Sequence, residues 1–145
     1  MKKFMFTCIF LWVASIHSHE LTNYINHIKI IDSRACLINA ITNIEDSTHN
    51  VFAFCQKEQA RGILQIRPIM LAEVNRILGK TVFDTTDCYN ISKSVAIFII
   101  IQEHYNGLNW FTNSKEVAGL WNGWRNWKTK PSAINYVNRV LTKLK

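Results

Sequence analysis

The chain has no Cys-x-x-Cys pair, no Gly-x-Ser-x-Gly elbow, no phosphate-cradling glycine loop and no run of basic residues. The first absence argues against a zinc site. The second and third remove the local signatures of a serine hydrolase and of a nucleotide-phosphate site. The fourth leaves nucleic-acid binding with little support. Acids are also scarce: 10 Asp and Glu stand against 17 Lys and Arg, a formal net charge of +7. The expected partner is therefore anionic, and the charge is spread along the chain rather than gathered into a tail. No internal repeat, low-complexity tract or linker interrupts the 145 residues. Apolar residues make up 48%, too many for a disordered chain and enough for one domain with a sizeable core.

The start reads as a secretory signal peptide, with Lys2 and Lys3 ahead of an apolar stretch from Phe4 to Ile16 that is short for a membrane span. Ser18 is the expected cleavage point, giving a signal over residues 1–18 and a single domain over 19–145. Removing Lys2 and Lys3 would lower the net charge from +7 to +5. The expected location is secreted or periplasmic, without stable membrane insertion after cleavage. The cluster His17-Ser18-His19-Glu20 has metal-binding residue types, but the cleavage point cuts through it, and no metal or cofactor is expected. Cys8 falls in the signal, leaving Cys36, Cys55 and Cys88, an odd number that permits one internal pair at most. Buried free thiols are the expected state.

The pattern is mainly α, an α+β arrangement in which a helical domain carries a small irregular β element beside a substrate cleft. A polar stretch, His19 to Asn26, precedes the first helix. That helix is expected to be capped by Asp32 or Ser33 and to present Leu37, Ala40, Ile41 and Ile44 to the core. It should end in Glu45-Asp46-Ser47-Thr48. Val51 to Ile66 reads as a short irregular hairpin or loop. Pro68 opens a second helix with Ile69, Met70, Val74, Ile77 and Leu78 on its apolar face, and Gly79 stops it. Asn90 caps a helix over Ile91 to Asn106 whose middle, Val95 to Ile101, is apolar all round, as in a central helix. Glu116 to Trp121 is a shorter helix. The last begins near Pro131 and buries Ile134, Val137, Val140, Leu141 and Leu144, with Arg139, Lys143 and Lys145 complementing its C-terminal dipole.

Three segments carry candidate chemistry. Glu45 leaves an apolar helix at the negative end of its dipole. Both desolvation and that dipole hold a carboxyl protonated, which suits a general acid. Most glutamates in a last helical turn are simply solvated. Gly62-Ile63-Leu64-Gln65 places a glycine that permits close backbone approach before a glutamine in an apolar setting. Gln65 therefore needs a partner, either backbone or substrate, unless it faces water from an edge strand. Trp121-Asn122-Gly123-Trp124-Arg125-Asn126-Trp127 offers aromatic rings for sugar faces and an amide for acetamido or hydroxyl groups, although buried tryptophans are commonly core anchors. Tyr105 and Tyr136 can add hydroxyls to a cleft. His49 and His104 have no neighbouring pattern for a Ser or Cys nucleophile. Nothing local supports pairing Cys55 with a distant histidine.

In their order and spacing these segments resemble the lytic transglycosylase family of the lysozyme superfamily, over roughly Ile31 to Leu144. In that family a helix ends in Glu-Ser, and Glu45-Asp46 occupies the place. Gly62-Ile63-Leu64-Gln65 looks like the family's Gly-Leu-Met-Gln segment. Trp121-Asn122-Gly123-Trp124 looks like its Tyr-Asn-Ala-Gly, and Tyr136 like its late cleft tyrosine. The resemblance implies a lysozyme-like fold and cleavage of the bond between N-acetylmuramic acid and N-acetylglucosamine in peptidoglycan strands. It gives Glu45 the role of sole acid/base. It assigns substrate contacts to Gly62, Leu64, Gln65, Trp121, Asn122, Trp124 and Tyr136, to which the reading of the residues adds Tyr105. The departures are Asp46 for Ser, Trp121 for Tyr, and Trp124 at a commonly small position, where it is expected to narrow the cleft. Glu58 is the second carboxylate if the reaction is hydrolysis. A wall-binding module without turnover, or a basic membrane-active protein built on Val95 to Ile101 and the cationic last helix, would be the alternatives.

Overall fold

The computed structural model describes Lys29 and residues 31–144. The expected signal over 1–18, Cys8, the His17–Glu20 cluster and the loose start His19–Asn26 lie outside the described residues. The described residues fall into two units that divide between Arg34 and Ala35. In the first, Lys29 and residues 31–34 are helical, and Ser33 Oγ donates to the Lys29 carbonyl at 2.8 Å. Asp32 and Ser33 thus lie within the helix instead of capping it. Ser33 satisfies its hydroxyl on the preceding turn, an option open to serine inside a helix.

The second unit is mainly helical with one two-stranded sheet. In it residues 35–45 form helix α1, of which Leu37, Ala40 and Ile41 are buried. Asp46 ends it. One carboxylate oxygen of Asp46 accepts from the Thr48 amide (3.0 Å) and hydroxyl (2.6 Å), and the other accepts from the Asn50 amide (2.6 Å). This turn carries the chain into an antiparallel pair, β1 (Phe54–Cys55) and β2 (Ala60–Arg61). Gly62 follows at φ +70, with its amide on the Ala53 carbonyl at 2.8 Å, and a Cβ there would stand 1.9 Å from the Cys88 carbonyl oxygen. Both the backbone angle and the packing require glycine. Arg61 and Ile66 then exchange backbone hydrogen bonds of 3.1 and 2.9 Å.

Helix α2 (Pro68–Leu78) has proline in its first turn and Gly79 as a left-handed cap. Met70 and Val74 are buried, whereas Ile69 and Leu78 are exposed, so its core face is narrower than the apolar pattern suggests. A short 3₁₀ turn, Asp87–Tyr89, precedes α3 (Ile91–Asn106), which Asn90 caps by accepting from the Lys93 amide at 3.0 Å. Ile97, Phe98 and Ile101 are fully buried at the centre of the core, and Phe98 packs on Trp110 and Trp121. Helix α4 (Ser114–Gly123) extends beyond the expected Glu116–Trp121 at both ends, and its earlier start follows from the cap that Asn113 supplies. A 3₁₀ segment, Trp124–Thr129, leads into α5 (Pro131–Lys143). The buried stripe of α5 is Ala133, Tyr136, Val137 and Val140, while Ile134 is 40% exposed. The stripe is turned from the expected one so that Tyr136, not Ile134, points inward.

The apolar middle of α3 and the stripe of α5 are both used in this core. No helix among the described residues is long and apolar enough to cross a membrane. The three described cysteines are free, but Cys36 is exposed and Cys55 only half-buried. The expectation of buried thiols holds for Cys88 alone, because only its side chain falls on the core face of its segment.

Candidate active site

Glu45 is half-buried at the last position of α1, and Tyr136 reaches it from α5. The tyrosine hydroxyl donates to Glu45 Oε1 at 2.7 Å, across 91 positions of sequence. Burial dominates the acidity of Glu45 and pushes its pKa from 4.5 up to about 7. The hydrogen bond from Tyr136 and the charges of Arg67 and Arg139 oppose the rise, and the charge of Glu58 adds to it. The tyrosine is held well above its ordinary value by burial, then by the neighbouring carboxyl. With Tyr136 on Oε1, the second oxygen is left to carry a proton.

Glu45 lines a cavity of about 240 Å³ together with Cys55, Glu58, Gln65, Arg67 and Asn122. A second cavity of about 480 Å³ shares Glu58, Arg67 and Asn122 with it and continues along α5 past Tyr136 and Arg139. The shared lining makes one cleft with two lobes. Glu45 sits in the smaller lobe and its hydrogen-bond partner in the larger. Arg67 braces the junction: its Nη2 donates to the Trp121 and Asn122 carbonyls at 3.0 and 3.2 Å. Lys130 Nζ donates to the next carbonyl, that of Gly123, at 3.0 Å. The last three carbonyls of α4 thus each accept from a cation of the cleft wall.

The residues expected from sequence divide into two groups. Glu45, Gln65, Trp121 and Asn122 line the smaller lobe, and Asn122 and Tyr136 the larger. Gln65 sits at φ +46 and turns its amide back to the Gly62 carbonyl at 2.9 Å, so its partner is the backbone. Trp121 is 1% exposed, and its indole N–H is spent on the Leu64 carbonyl at 3.2 Å. It forms a floor rather than a free stacking platform. Gly62 and Leu64 are buried and shape the turn from beneath.

Like Gly62 and Leu64, Tyr105 and Trp124 line neither lobe. Trp124 adopts φ +60, a left-handed angle rare for a bulky residue, and its ring packs on Tyr105. It does not narrow the cleft. Tyr105 instead bonds Glu73 and accepts from Arg125 Nη2 at 3.1 Å. Trp127 is also diverted from sugar stacking: it is buried, with its N–H on Glu116 at 3.1 Å and its ring filling the space a Cβ on Gly119 would take.

The chain was also compared with known family models, curated proteins and solved structures. It matches none of them.

Sequence reasoning missed Arg67, Lys130 and Arg139. Arg139 lies one helical step from Tyr136, the spacing at which two side chains share a helix face, so a signal for it existed. Arg67 directly follows the Gly62–Ile66 segment but betrays its role only through carbonyls more than fifty positions away. Cys55 lines the smaller lobe, and no histidine lines either lobe. His49 bonds Asn43 at 2.9 Å and His104 packs edge-on against Tyr105. Among the described residues no group of three His, Cys, Asp or Glu is arranged to hold a metal ion.

Proposed function

We propose that this protein is a peptidoglycan lytic transglycosylase on a lysozyme-like fold, acting outside the cytoplasm on glycan strands. The observation that carries the reading is Glu45: a carboxyl with its pKa near 7, in a polar cleft, bonded through one oxygen to a buried tyrosine. Such an acid keeps its proton on about half of the molecules at neutral pH and is a competent base once it has lost it. Glu45 gives its proton to the glycosidic oxygen between N-acetylmuramic acid and N-acetylglucosamine as the C1–O bond breaks. The resulting carboxylate takes the proton of the muramic 6-hydroxyl as O6 bonds to C1. A 1,6-anhydro ring forms, and Glu45 is again protonated.

Two further observations support the reading. Gln65, at the end of the Gly62–Gln65 turn, and Asn122 line the same lobe as Glu45, in keeping with the order of the family's motifs. Position 124 has the left-handed φ that glycine adopts readily, and glycine is what the family's Tyr-Asn-Ala-Gly motif carries there.

A second reading is favoured by Glu58, which lines both lobes and whose charge reaches Glu45. If Glu58 activates water, the reaction is a two-carboxylate hydrolysis. Mass spectrometry of purified peptidoglycan digested by the protein and by Glu45→Gln separates the cases. Anhydro-muropeptides that vanish in the variant are the expected result. Reducing-end products that vanish would assign a hydrolase and direct attention to Glu58. Glycan binding without cleavage by a folded protein would overturn both in favour of a wall-binding module.

A further inference from the structure

The larger lobe differs chemically from the smaller one. Its lining brings together three cations, Arg67, Lys130 and Arg139, against one acid, Glu58. Ser132 and Asn135 of α5 add neutral polar groups, and Tyr136 is the only aromatic ring. None of the three cations forms an ion pair among the described residues. Arg67 and Lys130 are tied to carbonyls, but each has more donors than those bonds use. The Arg139 side chain makes no hydrogen bond among the described residues, so its planar fork is available for an oxygen pair.

A subsite for a bare sugar ring would offer an aromatic face and neutral amides. This lobe offers one buried tyrosine and an excess of positive charge, in a concavity that concentrates the field. Resting on the glycan reading above, we infer that the larger lobe is a subsite for a carboxylate on the peptide carried by the glycan strand, received by Arg139 and assisted by Arg67 and Lys130. The strand would lie in the smaller lobe with its bond at Glu45. A peptide substituent would continue past Asn122 into the larger lobe, which is about twice the volume. The protein would then select strands that bear free peptide carboxylates over strands stripped of peptide.

The test is a nuclear magnetic resonance titration of the full chain carrying Glu45→Gln. The probes are a disaccharide muropeptide with free carboxylates, the same molecule with every carboxylate amidated, and inorganic phosphate. The free acid should bind about tenfold more tightly than the amide at low salt, the scale of one charge-assisted contact. It should shift the Ser132 and Asn135 amides, and added salt should shrink the difference. Adding Arg139→Gln should bring the two affinities together, and Arg139→Lys should restore part of the gap. Equal binding of acid and amide, or a gap that survives Arg139→Gln, would overturn the subsite. So would phosphate shifting those amides while the muropeptide leaves them unmoved.

Cleavage assays with the unsubstituted chain then separate the two claims. Binding preference without cleavage upholds the subsite and removes the transglycosylase. Cleavage of peptide-bearing and stripped strands at equal rates upholds the enzyme and removes the subsite.

Discussion

Two tyrosine–glutamate pairs stand in this molecule, and they have opposite chemistry. In the cleft, Tyr136 donates to Glu45, whose pKa is raised to about 7. On α2, Glu73 accepts from Tyr105, and its pKa is lowered to about 2. The tyrosine lowers the pKa in both. The difference lies in the other neighbours. Arg76 grips both oxygens of Glu73 at 2.6 and 2.8 Å, one helical step away on α2, and its guanidinium outweighs the effect of partial burial. Glu45 has arginine charges nearby but no direct ion pair, so burial wins. A direct counterion makes a structural carboxylate, whereas enclosure without one makes an acid.

The sharpest way to break this comparison is to exchange each glutamate for glutamine. Glu45→Gln should lower glycan cleavage by about 10³-fold, the usual scale for a general acid. Glu73→Gln should leave the dependence of rate on pH in place, and a comparable loss there would show that the wrong carboxyl has been assigned. For the unsubstituted chain, activity should fall about tenfold per pH unit above pH 7 as Glu45 loses its proton.

Stability supplies the next contrast. The folded pKa of Glu45 lies above its unfolded value, so its contribution is fully present below pH 4.5 and is lost as pH rises through about 7. At pH 8 the Glu45→Gln protein should therefore be more stable than the parent, by on the order of 2 kcal/mol, with no such gain at pH 4. Denaturant melts at the two pH values read this directly. Glu73 has the reverse sign: its contribution is present above pH 4.5 and fades as pH falls toward 2.

The tyrosines give the smaller effects. Tyr136→Phe should cut activity about tenfold through loss of one hydrogen bond to a charged group. It should also move the upper limb of the pH profile to higher pH, because the lost bond was lowering the pKa of Glu45. An unmoved limb would mean that Tyr136 does not control that proton. Tyr105→Phe should cost about 1 kcal/mol of stability and leave the limb where it is. A shifted limb would return Tyr105 to the cleft.

The helices were legible because their signals are local. Pro68, Gly79, Asn90 and Pro131 act within a turn of themselves, and the ends they mark are where the helices begin or stop. The small β element followed from Gly62 and the broken alternation before it. Glu45 was legible from its place after an apolar helix, but its pKa is not local, since burial by the folded core raises it and Tyr136 from the other end of the chain trims the rise. The tryptophans divide for a related reason. Ring count and spacing match a sugar platform, but a left-handed backbone angle aims Trp124 at Tyr105, and core packing absorbs Trp121 and Trp127. Composition registers an aromatic residue but not the direction in which the chain turns it.

The two cations that bond the last carbonyls of α4 also bear on how this cleft can evolve. Arg67 and Lys130 neutralise the negative end of that helix while lining the wall of the larger lobe. Any drift toward a neutral or acidic cleft would strip a helix end of its partners in the same step. Selection for folding therefore maintains the positive sign of the cleft even when the ligand changes, and new specificities should arise first at Arg139, Ser132 and Asn135, which have no such second duty.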